Sequence, residues 1–190
     1  MPAAETPTGF KWIIRAGSAD APLVYGYEEA LGYAVSPRVA RDKDGVSAAL
    51  AVALLATELG TQGRTLLDRL DELAAEHGLH ATGQLSVRVE DLTLIDDAMA
   101  RVRARPPVAL LDREVAFEDL RELEPPVDGV RLLGEGVRVV VRPSGTEPKL
   151  KAYLEVVVPV ADRADVPAAR TRADAELIRL RGEMATALGL

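Results

Sequence analysis

The sequence predicts two unlike pieces: an α/β unit that is only partly present, then an α+β domain with helices packed on an antiparallel sheet. Three observations predict it. Apolar residues keep helical spacing before Leu79 and alternate from Gln84 to Val89. Strand candidates cluster at 113–117, 130–134, 137–142 and 150–158. A helical stripe of Leu177, Leu180, Met184 and Leu188 follows them.

The elements follow in order. Thr6-Pro7-Thr8-Gly9 reads as a turn, with no recognisable element before it. Leu23 to Tyr27 is a short apolar, aromatic run that predicts a buried strand, ending in the loop 28–32. A second turn falls near Ser36-Pro37. Asp44 is placed to cap a helix reaching about Leu59, with Val46, Ala49, Leu50, Ala53 and Leu54 as its apolar face and Gly60 and Gly63 at its end. Leu66, Leu67, Leu70 and Leu73 mark another helix, stopped by Gly78. Strands to cover these two helices are scarce, as in a domain entered midway. After Leu79 come a strand, then a helix through Leu92, Ile95, Met99 and Val102 that Pro106-Pro107 ends. Gly134-Glu135-Gly136 is suited to join two strands as a hairpin. Residues 122–126 read as a loop. The last helix is expected from about Val166 to Leu188.

Composition narrows the function classes. The 190 residues are 48% hydrophobic and 28% charged, as in a globular chain, with a net charge of −7 and no cysteine. Disulfides and cysteine-ligated zinc are excluded. The acidic excess is shared between residues 1–80 and 81–190, and only seven aromatic residues are present. No basic stripe marks a nucleic-acid binder. The longest nearly apolar run, 46–56, is short of the roughly 20 residues of a membrane span. The first residues lack the pattern of a signal peptide. No nucleic-acid or membrane partner and a cytoplasmic location are the expectations.

The chemistry concentrates in Arg142-Pro143-Ser144-Gly145-Thr146-Glu147-Pro148-Lys149, between two strong strands. Arginine offers a planar fork of donors that matches phosphate. Ser144 and Thr146 add hydroxyls, and Gly145 lets backbone N–H groups approach an anion. Two prolines stiffen the turn. Lys151 and Tyr153 share a face of the returning strand, so Lys151 is placed to face the same anion. Read alone, the segment also fits an ordinary β-turn with a surface arginine.

This octet resembles the phosphate-binding loop of the α-D-phosphohexomutases, the phosphoglucomutase and phosphomannomutase superfamily. Gly26-Tyr27-Glu28-Glu29-Ala30-Leu31-Gly32 resembles the family's sugar-discriminating loop. Thr8-Gly9-Phe10-Lys11-Trp12 and Arg41-Asp42-Lys43-Asp44-Gly45 resemble the segments that flank that loop. The resemblance spans essentially the whole chain. It implies the second half of the third domain of a four-domain enzyme at 1–79 and the complete fourth domain at 80–190. The Glu-Glu-Ala-Leu-Gly form is similar to the branch of phosphomannomutases, phosphoglucomutases and phosphopentomutases.

The resemblance carries roles residue by residue. Arg142, Ser144, Gly145 and Thr146 would hold the distal phosphate of a hexose or pentose phosphate, helped by Lys151. Glu28 would accept sugar hydroxyls, with Lys43 near phosphate or sugar and Thr8, Gly9 and Lys11 near the ring. Many relatives have a serine where Ala30 stands, so sugar preference does not carry over. The family reaction is an isomerisation: a phosphoserine gives its phosphoryl group to a sugar phosphate, and the resulting bisphosphate returns the other one. The full-length family implies Mg2+ and a sugar bisphosphate activator, but no cofactor is expected in these residues. The serine loop and the aspartate-rich magnesium loop have no counterpart in residues 1–190: no Ser-His pair occurs, and Asp42/Asp44 and Asp96/Asp97 lack the pattern. The expectation is a chain inactive by itself, completed by an N-terminal half or self-associating. The alternative is a non-catalytic sugar-phosphate-binding or complementing module.

Simpler readings stand beside these. Glu28 and Glu29 are chain neighbours that point apart, which disfavours a general acid/base pair. Lys43 and Asp44 also fit solvated charges at a helix start. His77 and His80 flank Gly78 with no third ligand near, which favours surface or capping roles over metal. Trp12 reads as packing.

Overall fold

The computed structural model describes residues 3–7, 9–28, 31–145 and 147–190. It divides into two compact units, Met1–Arg69 and Leu70–Leu190.

The first unit opens on a single helical turn, α1 (Phe10–Ile13), which is too short to leave a period in the sequence. Phe10 is buried beneath it. Strands β1 (Gly26–Glu28) and β2 (Gly32–Ala34) form an antiparallel hairpin with Tyr27 opposite Tyr33. The two rings lie 5.2 Å apart between centroids, a favourable cross-strand aromatic contact. The strand expected over 23–27 is therefore displaced toward the loop, and it is not a buried one. Val24, Tyr25 and Tyr27 are about half exposed, because a two-stranded ribbon has no further layer to cover them.

Helix α2 (Gly45–Thr61) starts where the sequence places it. Asp44 Oδ1 accepts from the N–H groups of Val46 (3.1 Å) and Ser47 (3.2 Å), and the Asp44 N–H donates to Tyr33 O (2.9 Å). The cap thus fastens the helix to β2. Its apolar face is not a core face, however. Val46, Leu50 and Leu54 are 83%, 60% and 62% exposed, and only Leu59 is buried. Among the described residues of this unit the only sheet is the β1–β2 ribbon, and it leaves that face bare. Helix α3 (Leu66–His77) spans the division between the units. Thr65 and Asp68 cap it reciprocally: the Thr65 N–H and hydroxyl donate to Asp68 Oδ2 (both 2.7 Å), and the Asp68 N–H donates to Thr65 Oγ1 (3.1 Å).

The second unit is a six-stranded antiparallel sheet. Its strands are β3 (Leu79–Arg88), β4 (Ala109–Leu110), β5 (Arg113–Asp119), β6 (Val130–Gly134), β7 (Val137–Pro143) and β8 (Lys149–Val158). The order is β3-β8-β7-β6-β5-β4, so β4 to β8 form a meander whose last strand returns to pair with β3. Gly134 pairs with Val137 across the β6–β7 turn, where Gly136 takes φ 64° and a Cβ would come 2.9 Å from Val157 O.

Alternation decides the layers. Val139, Val141, Leu150, Ala152, Leu154 and Val156 point to the buried face of β7 and β8. Helices α4 (Thr93–Ala104) and α5 (Val166–Leu188) cover that face through Ile95, Met99, Val102, Leu180, Met184 and Leu188. The expected helix stripes thus become the core, although Leu92 stays exposed as the residue before α4. The β4–β5 turn is locked to α5: the Leu111 N–H donates to Glu183 Oε2 (2.8 Å), and Arg179 pairs with Asp112 (2.7 Å). The other face carries the polar partners of the alternation, including Arg138, Arg142, Lys149, Lys151 and Tyr153.

Two outcomes follow from this difference in packing. Limited proteolysis is expected to trim the first unit before the second, leaving about residues 70–190 as the resistant fragment. Survival of the first unit with loss of the second would contradict it. Leu180→Ala, at a fully buried position, is expected to lower unfolding free energy by about 2–5 kcal/mol in urea titration.

Candidate functional site

Two groups of the expected site residues lie on separate loops, one in each unit. In the first unit, Glu28 ends β1 and Lys43 sits just before the α2 cap. The structure brings these two together as a salt bridge. The Lys43 ammonium also lies 5.6 Å from the centre of the Phe10 ring, a cation–π distance. Lys43 is thus engaged by Glu28 and Phe10. Gly32, opposite Glu28 across the hairpin, makes this packing possible. A Cβ there would come 2.6 Å from Glu28 Cγ and 2.9 Å from the Phe10 ring. Gly9 precedes α1 with φ 120°, and Lys11 lies exposed over the Trp12 ring at 5.4 Å. Thr8, Glu29 and Ala30 lie outside the described residues. Phe10 was not singled out by sequence, since its role appears only when α1 folds against the hairpin.

In the second unit, Arg142 is the penultimate residue of β7, directly opposite Lys151 of β8. Cross-strand partners on one face stand about 5 Å apart between Cβ atoms, and like charges there repel. Arg142 Nη2 donates to Tyr153 Oη (3.2 Å), and its guanidinium sits 5.6 Å from the centre of that ring. Its Nη1 reaches Pro143 O at 3.4 Å, and its Nε is buried without a hydrogen-bond partner. Among the described residues no carboxylate pairs with Arg142 or Lys151.

The neighbouring pair of cations is treated differently. Arg88 of β3 stands opposite Lys149 of β8, and the Glu147 carboxylate bridges them. Arg88 Nη2 donates to Glu147 Oε1 (2.8 Å), and Lys149 Nζ donates to Glu147 Oε2 (3.1 Å). The hydrogen bond and charge of Lys149, with the bond from Arg88, hold the Glu147 carboxyl below the usual glutamate range. The loop is also closed by its backbone. The Ser144 N–H donates to Lys149 O (2.8 Å), the Lys149 N–H to Glu147 O (2.7 Å) and the Val89 N–H to Pro148 O (3.0 Å). Gly145 is exposed at the tip, and a Cβ there would meet nothing within 4 Å. Thr146 lies outside the described residues. Of the five residues expected at the phosphate, the structure thus brings Arg142, Ser144, Gly145 and Lys151 to one end of the β7–β8 pair.

The remaining polar residues are accounted for more simply. His80 Nδ1 lies 3.0 Å from Glu155 Oε1, and His77 lies 3.6 Å from Glu76. Among the described residues no group of three His, Asp or Glu side chains is arranged to hold a metal ion. None of their helices is singly long and apolar enough to cross a membrane.

A meander sheet with a tethered, cation-lined turn, preceded by a hairpin with an ion-paired glutamate, has clear relatives. Residues 1–77 match the phosphoglucomutase/phosphomannomutase alpha/beta/alpha domain III, and residues 85–175 match the C-terminal domain of the same family. The chain therefore belongs to the phosphoglucomutase/phosphomannomutase family and comprises its C-terminal portion. It is 44% identical over 153 residues to a probable phosphomannomutase of Haemophilus influenzae, covering 80% of this chain and 31% of that one. It is 31% identical over 179 residues to a phosphoglucomutase of Staphylococcus aureus strain MRSA252, covering 83% of this chain and 32% of that one. It spans about a third of the length of these curated relatives.

The Glu147 bridge gives a pH outcome. A carboxyl held below its usual value contributes order above the unfolded pKa, near 4.3, and loses it as pH falls through the lower folded value. The amide resonances of Lys149 and Val89 are expected to stay constant from neutral pH to about 5 and to move only below the usual glutamate range. A transition centred at or above about 4.3 would contradict the bridge.

Proposed function

We propose that this chain supplies the sugar- and phosphate-recognition loops of a phosphohexomutase acting on hexose phosphates. In this reading Arg142, Ser144, Gly145, Thr146 and Lys151 take the distal phosphate. Glu28 accepts sugar hydroxyls, and Thr8, Gly9 and Lys11 line the ring. Lys43 fixes the Glu28 carboxylate between its own contacts, an orienting role that its ion pair supports. A pentose phosphate is the alternative substrate. Phosphoryl transfer itself is assigned to a serine nucleophile outside these 190 residues, so the chain alone is inactive. Among the described residues no group of acidic side chains is arranged to hold the Mg2+ that the family implies. The sugar bisphosphate activator would use the same loops as the substrate. Cytoplasmic metabolism and completion by an N-terminal half belong to the same reading.

One observation carries it. Two like charges, Arg142 and Lys151, face each other across β7 and β8 without a carboxylate between them. The adjoining Arg88–Lys149 pair is bridged by Glu147. A phosphate would do for the first pair what Glu147 does for the second, and more strongly, since it offers several acceptor oxygens to an arginine fork.

Calorimetric titration with glucose 1-phosphate tests this. Arg142→Ala is expected to weaken binding by about ten- to a hundred-fold, the range for a hydrogen bond to a charged group. Equal affinities would remove the site. Gly145→Ala is the sharper companion, because its Cβ meets no protein atom. It is expected to leave the unfolding midpoint unchanged while weakening binding, and a variant that binds normally would separate Gly145 from the ligand. Conversion of glucose 1-phosphate to glucose 6-phosphate by the purified 190-residue chain would overturn the assignment of catalysis to residues beyond it.

A further inference from the structure

We infer that Tyr153 is a positioning residue for the phosphate site, holding the Arg142 guanidinium ready before an anion arrives. This rests on the reading of Arg142 as a phosphate ligand.

A long arginine side chain on a sheet face has many rotamers, and ordering it on binding costs affinity. Two other arginines on this sheet are fixed by carboxylates: Arg131 by Glu118 (2.6 Å), and Arg88 by Glu147 (2.8 Å). A carboxylate at Arg142 would compete with the phosphate for the same donors. Tyr153 solves this with a neutral group. Its hydroxyl accepts from Arg142 Nη2 at 3.2 Å, and its ring lies 5.6 Å from the guanidinium carbon. The cation–π contact shields one side of the guanidinium from water without neutralising it.

The register makes this arrangement specific. Tyr153 lies two residues from Lys151 on β8, hence on the same face, and its own cross-strand partner is Val140. Arg142 therefore reaches diagonally along β8, away from the like charge opposite it. Diagonal neighbours on a sheet face are about 7–8 Å apart, within reach of an aromatic ring and an arginine. The donors on Arg142 that Tyr153 leaves unused include the Nε, which is buried and unpartnered.

The test uses the 190-residue chain with two probes, inorganic phosphate and glucose 1-phosphate. Tyr153→Phe keeps the ring and removes the hydroxyl; Tyr153→Leu removes both. Tyr153→Phe is expected to weaken both probes by about three- to ten-fold, less than Arg142→Ala, and Tyr153→Leu by more. The decisive arm places Tyr153→Phe in an Arg142→Ala background, where it should have no effect on affinity. The Arg142 Nε–H resonance of the free protein should also broaden or shift in Tyr153→Phe, a signature that general loss of stability does not produce. If Arg142→Ala weakens binding but Tyr153→Phe does not, the positioning role is overturned and the phosphate site stands. An equal loss from Tyr153→Phe in both backgrounds would overturn it too, since Tyr153 would then act independently of Arg142. If Arg142→Ala itself changes nothing, the phosphate reading fails and this inference fails with it.

Discussion

The antiparallel pairing of β7 with β8 is the constraint on which the second unit depends. One register serves two ends. It sends Val139, Val141, Ala152 and Leu154 into the core, and it sets Arg142 opposite Lys151 on the other face. A slip of one residue would reverse both sets at once. The hydrophobic demand of the core thus holds the cations in place, and neither needs a carboxylate to position it. The loop between the strands inherits this rigidity through the Ser144–Lys149 backbone bond.

Charge is handled in two ways within one end of the sheet. Arg88 and Lys149 are balanced internally by Glu147, and their work is to tie the edge strand to the loop. Arg142 and Lys151 have no carboxylate partner among the described residues, and Arg142 donates to the Tyr153 hydroxyl instead. In the first unit the balance is struck locally. Glu28 and Lys43 neutralise each other beneath the hairpin, where Gly32 leaves room for Glu28 beside Phe10. A neutral pair suits the recognition of uncharged hydroxyl groups, as a cation pair suits phosphate.

Much of this was legible in sequence because the relevant signals are local. Clustered apolar runs marked β7 and β8 as strands, and the stripe from Leu177 to Leu188 marked α5. The Asp44 cap needed only its neighbours in the chain. The octet around Ser144 was visible as composition, and so was the placing of its Arg142 beside Lys151 at one end of the strand pair. What stayed hidden depends on pairing. The β4–β5 turn uses Leu111 and Asp112, both at positive φ, where the usual signal is Asn-Gly or Asp-Gly. Its stability comes from Glu183 and Arg179 on a distant helix. The ion pair of Lys43 with Glu28 required the hairpin to fold back on the α2 cap, and the balance of Glu147 against two cations required the β3–β8 register. Helix α2 was legible too: its spacing is that of a core helix, the strands to cover it are scarce in sequence, and Val46, Leu50 and Leu54 are exposed among the described residues.

Family membership places the chain in the C-terminal portion of the phosphoglucomutase/phosphomannomutase family, and its own residues suggest a share of the work. The work proposed for them is to hold a substrate by its phosphate. The most direct measurement is a crystal structure of the 190-residue chain with glucose 1-phosphate. Phosphate oxygens are expected about 3 Å from the Arg142 guanidinium and within reach of Lys151 and the Ser144–Gly145 backbone. A phosphate bound instead between Arg113 and Arg172, in the cavity at the Val158 end of β8, would contradict it.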